Sequence, residues 1–77
     1  MTNIETGSLV YWLLDEDEPQ TSWIGPCLVL STQSFANSQI QELRLYDSKE
    51  NETIRVLDDE VCSMEEFISK GYRAINS

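Results

Sequence analysis

The sequence predicts a mainly β domain: a small barrel or rolled antiparallel sheet of four to five strands with one short C-terminal helix. Three observations carry this. The chain has 77 residues, room for a single domain with a modest core. Its apolar residues fall in short runs rich in β-branched and aromatic side chains, separated by turn-forming clusters. The longest run, Trp23-Ile24-Gly25-Pro26-Cys27-Leu28-Val29-Leu30-Ser31-Thr32, reads as the central strand around which the rest is laid.

Taken in order, residues 1–6 are polar and expected to be loose. The β strands are expected within 7–57. The first, Ser8–Leu14, is apolar on both faces, so it must be buried on both sides or covered by a helix or a partner. Asp15-Glu16-Asp17-Glu18-Pro19-Gln20-Thr21-Ser22 follows as a solvated loop, because adjacent carboxylates repel and proline cannot continue a ladder. In the central strand, Gly25-Pro26 demands a bulge or bend. Beyond it Cys27 and Val29 face one way, and Leu28 and Leu30 the other. Gln33–Gln39 is turn-prone, with Phe35 as a candidate anchor into the core.

Ile40–Tyr46 alternates, with Leu43 and Leu45 on one face and Glu42, Arg44 and Tyr46 on the other. A five-residue connection leads to Glu52–Leu57, with Ile54 and Val56 inward. Across this hairpin Glu42 or Asp47 is placed to pair with Arg55 or Lys49. Ser63-Met64-Glu65-Glu66 has capping-box spacing, Cys62 and Phe67 have staple spacing, and Gly71 stops a helix over 63–70. A closing strand is expected within 72–76, over Tyr72–Ile75.

Fourteen acidic residues against five basic ones give a net charge of -9, and no Lys or Arg precedes Arg44. Binding nucleic acid through its phosphates needs cations to displace condensed counterions, so that route is disfavoured. An anionic membrane surface is disfavoured for the same reason. A basic partner is favoured. With no basic start or long apolar run after Met1, and with only Cys27 and Cys62, the expected setting is a reducing cytoplasm (a host's, if the chain is viral) with both thiols free and buried.

Catalytic chemistry is nearly absent from the residue list. Without histidine there is no neutral-pH imidazole and no Ser-His or Cys-His pair. Two cysteines and no histidine do not make a zinc site, and three scattered glycines do not cradle a phosphate. The loop acids lack the alternate-oxygen spacing of a calcium loop. The expectation is a non-enzyme with no cofactor and no metal.

Gly7-Ser8-Leu9-Val10-Tyr11-Trp12, an acidic loop, then Trp23-Ile24-Gly25-Pro26-Cys27-Leu28-Val29-Leu30 resembles the opening of an SH3-like barrel of the Tudor, PWWP or retroelement-integrase C-terminal type. The likeness covers residues 7–32 closely and 40–57 by pattern. It implies a barrel. It departs from the integrase barrels, which are basic, in being strongly acidic.

Three functions compete. The first is a small acidic module that engages and inhibits or modulates a basic, nucleic-acid-binding protein through Asp15, Glu16, Asp17, Glu18, Trp23, Asp58, Asp59 and Glu60. Its sharper form is nucleic-acid mimicry in a phage–host setting. An extended Asp15–Glu18 would space carboxylates about 3.3–3.6 Å apart, near the single-strand phosphate interval. The second is an assembly protein that oligomerises through Leu9, Tyr11 and Leu13. The third is a reader of basic or methylated peptides through a cage drawn from Tyr11, Trp12, Trp23 and Tyr46. Each site has a plainer reading: a loop kept soluble by charge, tryptophans as core, and acids at a helix start facing its dipole.

Overall fold

A computed structural model describes residues 4–35 and 40–75. The strands are β1 (Leu9–Leu13), β2 (Trp23–Ser34), β3 (Gln41–Asp47), β4 (Glu52–Leu57) and β5 (Val61–Ser63). A 3-10 turn over Asp58–Glu60 joins β4 to β5, and helix α1 spans Met64–Ser69. All five strands belong to one antiparallel sheet in the order β4-β3-β2-β1-β5. The chain is therefore mainly β, a small rolled sheet with one short C-terminal helix, and β2 is its middle strand.

Alternation decides what each strand buries. Val10, Cys27, Val29, Leu43, Leu45 and Val56 form the main core, and Trp12, Ile24 and Ile54 pack against it. On the other face of β1, Tyr11 and Leu13 meet a second cluster of Trp23, Cys62 and Phe67, completed by Tyr72. The two apolar faces of β1 are thus both occupied, one by the sheet's interior and one by α1. The bulge in β2 is present: Val10 pairs with Cys27 and Trp12 with Ile24, so Gly25 and Pro26 together oppose Tyr11.

Helix α1 starts where Ser63 Oγ accepts the Glu66 amide at 3.1 Å. The reciprocal arm of a capping box does not form among the described residues, because the Glu66 carboxylate pairs with Lys70 at 3.1 Å instead. At the other end Gly71 is left-handed (φ 69), its amide reaching Ile68 O and that of Tyr72 reaching Phe67 O. This closes the helix and turns Tyr72 back onto Trp23.

Several expectations are corrected. The final segment is not a strand among the described residues; Ala74 makes a single parallel bridge to Trp23. The closing strand is instead β5, which pairs with β1 through Val10–Ser63, Tyr11–Cys62 and Trp12–Val61. Phe35 is 42% exposed and anchors nothing in the core. The hairpin register sets Glu42 opposite Leu57 and Arg44 opposite Arg55, so the expected cross-hairpin ion pairs do not form among the described residues. Residues 1–3 of the loose N-terminus, 36–39 of the turn-prone segment and 76–77 lie outside the described residues.

Gly25 is the backbone constraint most sensitive to substitution. Its φ is 148, and a Cβ there would lie 3.0 Å from both Tyr11 Cδ2 and Val10 O. Gly25→Ala combines backbone strain with a clash against the β1 main chain, so it should destabilise by about 1–3 kcal/mol. Urea denaturation of the two proteins measures this.

Candidate functional site

The loop between β1 and β2 is held by Ser22 and Trp23. Ser22 is buried, and its Oγ sits 2.8 Å from Asp15 O and 2.6 Å from Glu18 O, sharing one proton between two carbonyls. The Trp23 indole Nε1 donates to Pro19 O at 2.7 Å. The Glu18 amide reaches Asp15 O at 3.1 Å, and the Asp17 amide reaches Asp15 Oδ1 at 2.9 Å. Asp15–Glu18 therefore curl into a turn rather than running extended. All four side chains are exposed, but the evenly spaced ladder of charge expected for a nucleic-acid mimic is not built here.

Trp23 is 6% exposed and belongs to the second cluster, which leaves a partner almost none of its surface. Its ring stacks on Tyr72 with centroids 5.0 Å apart and meets Phe67 edge-on. Tyr11 stacks on Phe67 at 3.6 Å. Rings this close enclose no space for a methylated cation. Trp12 packs on the opposite face of β1, and Tyr46 donates its hydroxyl to Asn51 Oδ1 out on the hairpin. Of the four rings considered for a cage, only Tyr11 and Trp23 share a cluster.

A broad concavity lies elsewhere, between the N-terminal segment, β1, the 3-10 turn, β5 and the start of α1. It is a groove of about 650 Å³. Ile4, Leu9, Val10, Val61 and Cys62 give it an apolar floor. Glu5, Asp58, Asp59, Glu65 and Glu66 stand around it, and no Lys or Arg among the described residues lines it. Glu66 is tied to Lys70; the other four make no ion pair among the described residues. Asp58 and Asp59 are thus the two sequence-expected site residues that reach the groove. Glu60 lies beside it and accepts the Leu57 amide at 3.4 Å, while Asp15–Glu18 and Trp23 do not line it. Sequence reasoning misses Glu5, which reaches the groove only because β1 folds beside β5; no local pattern announces that contact.

Burial, reinforced by the charge of Asp47, pushes the Cys27 thiol from an ordinary 9.0 up to about 11. Burial, with Glu66 adding and Lys70 opposing, does the same for Cys62. Both thiols are free and protonated at neutral pH, hence poor nucleophiles. The hydrogen bond from Lys70 to Glu66 raises its own pKa, with the nearby Tyr72 and the Glu66 charge acting in the same sense.

Ser22→Ala should destabilise the fold by about 1–2 kcal/mol, because a buried hydroxyl serving two carbonyls is lost, and should make the 15–21 loop more sensitive to protease. Because the thiol pKa values are higher in the folded state, the unfolded chain binds fewer protons between pH 9 and about 11. Stability is whole below pH 9 and should fall across that window, and Cys27→Ala with Cys62→Ala should flatten the fall in a pH series of denaturation midpoints. Comparison with protein-family models, curated proteins and solved structures found no match for this chain.

Proposed function

We propose that this is a non-catalytic binding module whose ligand is a basic, partly apolar segment of a protein partner. The observation that carries the reading is the groove: an apolar floor ringed by Glu5, Asp58, Asp59, Glu65 and Glu66, with no lining cation among the described residues. Apolar floors hold side chains, and unpaired carboxylates at the rim select cations and steer them in. A segment alternating Lys or Arg with aliphatic residues satisfies both. The strand order, with β1 between β2 and the last strand, supports the SH3-like reading of the scaffold. The lack of histidine and the protonated thiols support a role without catalysis.

In this reading the partner is a protein that itself handles nucleic acid, since such proteins carry the basic segments required. Occupying such a segment would inhibit or modulate it. The 15–18 loop then contributes long-range attraction rather than contact.

The test uses fluorescence anisotropy with a labelled peptide of alternating Lys and Leu. Reversing Asp58, Asp59 and Glu65 to Lys should weaken binding about tenfold or more, equivalent to about 1.4 kcal/mol. Reversing Asp15, Glu16, Asp17 and Glu18 should slow association and change affinity less. Raising salt from about 0.05 to about 0.5 M should weaken the wild-type complex. Equal affinity in the groove variant would refute the reading.

A further inference from the structure

The outward face of β2, β3 and β4 is unlike the rest of the molecule. Leu43, Leu45 and Val56 point inward, so Glu42, Arg44, Arg55 and Leu57 point out. Leu28 and Leu30 of β2 join them, at 37% and 40% exposure; Leu57 is at 36%. A solvated sheet face normally reads as polar at alternate positions. This one carries three exposed leucines. Its strand positions hold one acid and two bases, whereas the rest of the chain holds thirteen acids and three bases.

Arg44 and Arg55 are direct cross-strand partners. Like charges set opposite each other oppose folding. Neither has an ion-pair partner among the described residues, although acids outnumber bases almost threefold. The pair lacks a counter-charge from the described residues, and the leucines lack a cover.

We propose that a second copy of this chain covers the face. Glu42 and Arg44 lie on the same side of β3, flanking Leu43. A two-fold axis normal to the sheet face and passing through β3 at the level of Leu43 would leave both copies facing the same way, so the axis that joins two faces must instead lie in the interface. Set across β3 at that level, it reverses the strand and places each Glu42 over the other copy's Arg44, next to Arg55. The same operation lays each Leu57 against the other copy's Arg55 and sets Leu28 and Leu30 against the Gln33–Ser34 end of the other copy's β2, so the leucines are covered without meeting one another. Such an interface is self-complementary in charge, as two-fold pairing requires. It also presents a sheet face that is not acidic, so two chains of net charge -9 approach with their remaining carboxylates turned away. The groove lies on the β1–β5 side and plays no part in it.

The experiment is sedimentation velocity on the full chain over a concentration series, at low and high salt. Wild type should form dimers whose population grows with salt, as mutual repulsion is screened, the opposite of the salt response of a basic peptide in the groove. Glu42→Arg alone and Arg44→Glu alone should each raise the dimer dissociation constant about tenfold or more. Mixing the two variants should restore association, because the arginine introduced in one chain then meets the glutamate introduced in the other; a purely structural role for either position would not produce that rescue. Circular dichroism should show both variants folded, since both sites are on the surface. A monomer at every concentration up to millimolar, or single variants that dimerise like wild type, overturns the proposal and leaves the face to a partner of other chemistry.

Discussion

The fold depends on β1 being apolar on both faces. Val10 and Trp12 face the interior of the sheet, while Tyr11 and Leu13 face α1 and the aromatic cluster. A 77-residue chain has little core to spend on two separate layers. Placing one strand between them lets four consecutive residues, Val10 to Leu13, serve the two layers alternately. The short helix, six residues long, would not persist alone. It persists because Phe67 stacks on Tyr11 and lies close to Tyr72. Trp23 joins this cluster, and its indole N–H fixes the acidic loop through Pro19. Packing and loop shape are therefore coupled through one tryptophan.

Much of this is legible in the residues. Cys27 and Val29 against Leu28 and Leu30, and Leu43 and Leu45 against Arg44, follow from a period of two, and the structure keeps both patterns. Gly25-Pro26 announces its bulge, because neither residue suits a regular ladder. The fifth strand is not legible. Three residues, Val61-Cys62-Ser63, show no countable alternation, and Ser63 also caps the helix. Their strand conformation comes from pairing with β1, a contact distant in sequence. Tyr72–Ile75 misleads in the opposite direction, because its aromatic content serves the cluster around Trp23 rather than a ladder.

The site is legible only in sign. Net charge gives the sign of the surface, and Asp58 and Asp59 border the groove. Where the carboxylates gather is not readable. A run such as Asp15–Glu18 draws the eye, yet Ser22 folds it into a turn by capturing its carbonyls. Glu5 and Glu65 stand at distant places in the chain and flank the same concavity. Charge density along a sequence measures local repulsion; charge density around a groove is set by topology.

The two surfaces divide the molecule by polarity. The β1–β5 side gathers carboxylates over an apolar floor, and the β2–β4 side holds leucines with two arginines. The first of these is the proposed seat of a basic partner. Amide chemical-shift mapping during titration with an unlabelled Lys/Leu peptide tests it most directly. Shifts concentrated at Glu5, Ser8, Val61, Ser63 and Glu65 are the predicted result. Shifts centred on Asp15–Glu18, with the groove amides unmoved, would contradict it.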